Sequence, residues 1–272
     1  MFLRKLDYLK QIQSDNLNQV IENIDQVRKD TELAAQAELT SYLSQRYIIS
    51  ETFRDTDVYS NSTTYKAKNL VEYTETAWSN ATAYLIGNRV SYSGKIYQAL
   101  TNNTNKQPDT NLSDWSYVVD DQLLFYVTLP NNEWNYKTKY SAGSIVWYKD
   151  SVYTAVVENE NVAPDSSLAT WGAGTPYSVL AGTKPTDVSK WTKGDNRNQQ
   201  IVLYMVDVTL YHLHSRINPR NIPQLRGLRY EEAIKWLKMV ASGDITADLK
   251  EINPEQGVSI RYGSQTKNVN FY

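Results

Sequence analysis

The chain has 272 residues, with 28 Lys and Arg against 30 Asp and Glu, for a formal charge of −2. That balance argues against a surface tracking nucleic-acid phosphates and against a polybasic membrane anchor. With no cysteine there are no disulfides and no thiolate metal sites.

The N-terminal "MFLRKLDYLKQIQSDN" turns polar too soon for a signal peptide, and no apolar run approaches the roughly 18 residues of a membrane span. A soluble chain without Sec export and without membrane contact is expected. The aromatic set is skewed: 21 Tyr and 7 Trp against 4 Phe. Rings with a polar edge suit surfaces that meet both protein and solvent or a partner.

Residues 1–58 are expected to be helical. "LNQVIENIDQVRKD" spaces Leu17, Val20/Ile21, Ile24 and Val27 as one helix face. "DTELAAQAELTSYLSQRYI" does the same with Leu33, Ala37, Tyr42/Leu43 and Tyr47, with Asp30 or Thr31 as its cap.

From residue 59 to 194 the texture changes to short alternating runs rich in Tyr, Asn, Ser, Thr and Gly. Here the chain repeats itself. Trp78/Trp134, Tyr84/Tyr140, Gly87/Gly143, Val90/Val146, Tyr92/Tyr148, Tyr97/Tyr153, Ala99/Ala155, Asn103/Asn159, Pro108/Pro164, Asp109/Asp165 and Trp115/Trp171 stand at one constant offset without a gap. Each copy holds a hairpin, turning at Ser93-Gly94 or Lys149-Asp150. The spacing predicts a β module at 75–121 and a second at 131–194. "KPTDVSKW" echoes the ending of the first copy, which makes Trp191 a candidate equivalent of Trp115 after an insertion. Residues 59–74, with "YKAKNLVEY", are either a truncated third copy or a linker strand.

Residues 195–250 return to helix. Ile201, Tyr204/Met205, Val208, Tyr211/His212 and Ser215 line one side of the first helix, which stops before "NPRNIP". Ala233, Ile234, Leu237 and Val240/Ala241 mark the second, which ends at Gly243. Residues 251–272 are expected as an extended arm, either an exposed strand or a mobile tail, in which Val258, Ile260 and Tyr262 alternate. The fold class is therefore α+β and multidomain. A discontinuous, mainly α-helical domain is built from both chain ends, and small all-β aromatic-rich modules are inserted at a surface loop, which is cheap when the loop ends lie close together.

Chemistry-bearing constellations are sparse. His212 and His214 lie two apart on a helix and share no face, so no metal site and no cofactor are expected. Asp109, Asp114 and Asp165 would make a glycosidase-like acid pair only if two modules each gave half a site, and Pro-Asp is already explained as a turn. No enzymatic activity is expected. Arg216, Arg220, Arg226 and Arg229, with Lys235 nearby, are either a solvated face paired with Glu231 and Glu232, a contact for an acidic neighbouring subunit, or a lining near DNA. Trp115, Trp171 and Trp191 are assigned to closing the modules, and Trp236 to the helical core. Trp78, Trp134 and Trp147 are the candidates for exposure, although the alternation leaves the inward face open.

Two resemblances emerge from these residues. "WSNATAYLIGNRVSYSGKIYQALTNNTNKQPDTNLSDW" and "WNYKTKYSAGSIVWYKDSVYTAVVENENVAPDSSLATW" resemble type 5/12 carbohydrate-binding modules. The likeness implies Trp78, Trp134, Tyr97 and Tyr153 as sugar-facing or fold-closing rings, and these, with Trp147 added by its alternation, are the candidates for docking a glycan or a protein. "LYMVDVTLYHLHSRINPRNIPQLRGLRYEEAIKWLKMVASGDITADL" and the N-terminal "FLRKLDYLKQI" and "AAQAELTSYLSQRY" resemble the Mu gp36-like head-to-tail connector family of tailed bacteriophages.

That second likeness implies a non-catalytic virion protein at the head-tail junction, made in the host cytoplasm. It implies rings of about twelve copies beneath the portal protein, closed by heterologous contacts. The genomic DNA passes through the channel without sequence-specific binding, and a downstream tail protein docks on the far side. Val258, Ile260, Tyr262, Phe271 and Tyr272 are then implied to grip the portal or a neighbouring subunit by strand addition. The inserts are implied to dock a capsid or fibre protein, or a glycan. A free-standing carbohydrate-binding protein is the alternative, and a glycoside hydrolase a lesser one.

Overall fold

The computed structural model describes residues 1–120, 123–217, 220 and 222–253. It is a mixed α+β protein. Seven helices occur among these residues: α1 (Lys5–Tyr8), α2 (Ser14–Val20), α3 (Asp25–Leu43), α4 (Ile49–Thr52), α5 (Leu168–Trp171), α6 (Gln199–Ile217) and α7 (Gln224–Ser242). All but α5 gather into one hydrophobic cluster, which joins Phe2, Tyr8, Leu17, Leu39 and Leu43 from one end of the chain to Ile201, Met205, Val208, Leu237 and Val240 from the other.

α6 is the axis of this cluster. Its residues from Tyr204 to Leu210 are buried without interruption, including Asp207 and Thr209, whose hydroxyl donates to the Met205 carbonyl. α3 and α7 pack on it and on each other, and α1 and α2 cover it elsewhere. α7 ends where Gly243 takes a left-handed φ of 88°, the conformation glycine adopts freely.

The N-terminal helices differ from the sequence expectation. The single face drawn through Leu17 to Val27 is broken at Glu22 and Asn23, both at positive φ, so α3 starts at Asp25 and not at Asp30 or Thr31. Its buried stripe is Arg28, Glu32, Ala35, Leu39 and Leu43, while Leu33 is 58% exposed. The physical reason is a buried polar contact. Tyr8 donates to Glu32 Oε1 at 2.8 Å, and Arg28 pairs with the same carboxylate. A hydrophobicity pattern puts Leu33 inside because it has no means of placing a satisfied ion pair there.

Between the chain ends stand three β modules, not two. Residues 75–120 hold one and residues 131–176 another, each with its own small aromatic core. The third is split: Thr56–Val58, Leu70–Tyr73, Leu123–Val127 and Trp191–Lys193 make one sheet in that spatial order by parallel, antiparallel and antiparallel pairing. Module 75–120 occupies the place of its hairpin turn, between Tyr73 and Leu123, which are partners across the sheet. Module 131–176 is inserted after Val127.

The three share one bonding scheme. Tyr65, Tyr84 and Tyr140 each accept at the phenol oxygen the backbone N–H five residues earlier, from Ser60, Ser79 and Asn135 at 2.6–2.7 Å. Each ring meets a closing indole edge-on at 5.2 Å: Trp191, Trp115 and Trp171 respectively. Those indoles donate to the carbonyls of Thr183, Lys106 and Val162. Aromatic pairs of this kind contribute about 0.5–1.5 kcal/mol beyond their area, a large share in units too small for an ample core.

Two sequence expectations are thereby corrected. Residues 59–74 are neither linker nor truncated copy, but the first part of a complete module. Residues 177–194 do not belong to the second module: Val179 pairs with Tyr65, and Trp191 with Val127. Trp191 is indeed a counterpart of Trp115, in a different module from the one expected. Local repetition could not reveal this, because the parts lie far apart in sequence.

Candidate docking surfaces

The modules place their aromatics in two kinds of environment. In module 75–120, the parallel bridge of Ala77 to Ser91 lays Trp78 beside the hairpin. Trp78 is half-buried and meets Tyr92 edge-on at 5.4 Å. Tyr117, on the third strand, is 52% exposed and carries the Lys95 ammonium 5.8 Å from its ring centre. The backbone bonds Gly87 N–H to Ala99 O and Leu100 N–H to Asp114 O bring the exposed Leu85, Ile86, Leu100 and Leu112 toward one edge of the same module. This module is the open one.

Module 131–176 faces inward instead. Trp134 and Trp147 are only 3% and 4% exposed, which overturns their expected exposure. Trp147 is covered by Lys68, whose ammonium sits 5.0 Å from the ring centre. Trp134 lies against the segment after α7, where Lys250 Nζ donates to its carbonyl at 3.2 Å. Between this module and that segment is a cavity of about 590 Å³, whose walls include Trp134, Tyr136, Trp147 and Tyr148. The lysines around it are already paired: Lys137 with Glu251, Lys149 with Asp165, and Lys250 with Glu133.

The remaining ring candidates separate as well. Tyr97 is buried in the first module, so its assignment to docking is corrected: it faces the core beside Ala99 and Trp115. Tyr153 is half-buried and presses on Gly174, where a Cβ would come within 2.5 Å of its ring. Trp115, Trp171 and Trp191 are fully buried closers, and Trp236 packs against Tyr204 at 5.0 Å. The sequence reading missed Tyr92, Tyr117, Tyr136 and Tyr148 as surface rings. Tyr92 and Tyr148 were visible in the repeat, and only their neighbours across the sheet fix which way they face.

The four arginines do not form one surface. Arg226 is buried and donates to the carbonyl of Gln11 at 2.9 Å, which removes it from any subunit or channel contact. Arg229 is half-buried and stands 3.7 Å from the buried Asp207. Burial pushes the Asp207 carboxyl up to about 6 against the pull of Arg229 and Arg226. Arg216 and Arg220 are the exposed members. The arm residues Val258, Ile260, Tyr262, Phe271 and Tyr272 lie outside the described residues.

The acidic candidates are taken up locally. Asp109 accepts from Gln107, Asp114 from Thr101, and Asp165 from Lys149. Glu38 holds both His212, at 2.8 Å, and the Tyr230 hydroxyl, at 2.7 Å, where α3, α6 and α7 meet. Among the described residues no group of three His, Cys, Asp or Glu could hold a metal ion, and no helix is long and apolar enough to cross a membrane. No protein-family description matches the chain, and no curated protein matches it either.

Proposed function

We propose that this is a non-catalytic virion protein, a head-to-tail adaptor whose discontinuous helical domain assembles as a ring beneath the portal. The genomic DNA passes through the ring, the next tail component docks on it, and the β modules project from it. The observation that carries this reading is the shared core of the two chain ends. α3, α6 and α7 form one packed unit, and the insert leaves it after Phe53 and re-enters at Arg197. Arg197 pins that point by bonding Asp7, Asp195 and the carbonyl of Phe2. A helical unit whose core takes no residue from the modules suits an adaptor carrying an added docking device.

For the inserts, a protein partner is favoured over a glycan. Flat rings suit either, but the exposed aliphatic groups Leu85, Ile86, Leu100 and Leu112 of the same module suit apolar protein contact. The Trp78–Tyr92 pair with Tyr117 is the observation that supports the glycan reading.

The test is native mass spectrometry of the purified protein, alone and with the portal protein of its own virion. A portal-bound ring near twelve copies supports the adaptor. A persistent monomer that ignores portal overturns it, and binding on a glycan array would then move the assignment to a carbohydrate-binding protein.

A further inference from the structure

Lys68 stands where the two other modules have glycine. Gly87 and Gly143 sit at φ of 87° and 86°, with open space where a Cβ would be. Lys68 occupies the same turn at φ 66°. The equivalence is fixed by hydrogen bonds, because Lys68, Gly87 and Gly143 each donate their backbone N–H to the matching strand carbonyl, of Val127, Ala99 and Ala155. A side chain in the left-handed region is disfavoured. A strained backbone at one copy of a repeat calls for something that this copy alone does.

What it does is visible in the side chain. The ammonium of Lys68 bonds Glu133 of module 131–176 at 2.5 Å and Glu51 of α4 at 3.1 Å, and lies over the Trp147 ring. Lys250, from the segment after α7, takes the other oxygen of Glu133 at 2.9 Å, and Arg54 pairs with Glu51. One cation on the split module thus joins the helical unit to a second module. The group is largely out of water: Lys68 is 16% exposed and Glu133 25%. Neither glycine counterpart can make such a tie.

We infer that Lys68 is the keystone of an ionic clasp that fixes the direction in which the β modules leave the helical unit. The clasp makes module 131–176 an inward brace and leaves module 75–120 as the open one. This rests on the intramolecular geometry and stands whether or not the protein is an adaptor.

The absence of cysteine makes the experiment direct, because two introduced cysteines label cleanly. Spin labels go on Ser141→Cys in module 131–176 and Lys238→Cys on α7, both exposed, and the distance between them is read by pulsed electron resonance. A single narrow distance is expected for the otherwise native chain. Lys68→Gly, with the backbone its sister modules use, should lose that narrow distance for a broad distribution while amide protection at 65–73 and 123–127 is retained. Glu133→Gln should broaden it in the same way. A distribution that stays narrow in both variants overturns the clasp. So does a loss of amide protection in Lys68→Gly, which would assign Lys68 to the folding of its own module.

Discussion

At Asp207 the energetics turn on where α6 lies. Its ordinary carboxylate value of 3.8 is raised to about 6 by burial, so the folded state keeps a proton that the unfolded state has released between these values. Stability therefore falls as pH rises through that window. The cost is fully present above pH ~6, at about 3 kcal/mol. Asp207→Asn removes this dependence, so the variant should gain on the wild type progressively from about pH 4 to about pH 7. Urea denaturation of both proteins across that range checks it, and a constant difference would refute it. Trp191 offers a second test at this scale. Trp191→Ala should cost ~3–5 kcal/mol, as for buried aromatics generally. Hydrogen exchange should locate the loss of protection at 65–73 and 123–127, leaving 145–155 protected. Loss confined to 145–155 would return Trp191 to the second module.

At the scale of elements, the hairpin is the part most plainly written in the sequence. Val90 pairs with Tyr97 and Val146 with Tyr153, as alternation predicts. The turn at Ser93-Gly94 is left-handed at both positions, as two-residue hairpin turns favour. In the split module the same hairpin exists with a whole module in place of its turn. Because Tyr73 and Leu123 are sheet partners, replacing residues 74–122 by Asn-Gly should close that hairpin directly. The shortened protein should keep its helical far-UV signal and its thermal midpoint within a few degrees, as measured by circular dichroism. A collapse of the midpoint would mean that the first module supports the others. The α3 stripe is the opposite case. Its phase is set by Arg28 and Glu32 meeting Tyr8 from another helix, and periodicity on α3 alone selects the wrong side.

At the scale of the whole molecule, the two chain ends and the modules can be separated by experiment. Deleting residues 60–194 should leave a soluble helical protein, because the core from Phe2 to Ala247 takes no residue from the modules. Sedimentation and far-UV circular dichroism read the outcome, and aggregation with loss of helix would sink the idea of a core complete in itself. Removing the modules also strips Lys68 and Glu133 from the junction, leaving Glu51, Arg54 and Lys250 to solvent. Those three groups regain their hydration rather than staying buried without partners, so the expected loss is small.

The sequence by itself determined the things that depend on neighbours along the chain: the aromatic repeat, the hairpins, α6 and α7 with the glycine stop, and the burial of the three closing tryptophans. Tertiary structure alone decided what depends on partners brought from afar. Trp147 lies under Lys68, Trp134 sits in the core of its own module with Lys250 bonded to its carbonyl, and Arg226 is buried with its guanidinium donating to the Gln11 carbonyl. The third module exists only because strands far apart in sequence share one sheet. Its pairing satisfies backbone hydrogen bonds that a local pattern cannot assign. Exposure belongs to a residue's surroundings, and for Trp147 and Arg226 part of the surroundings comes from far along the chain.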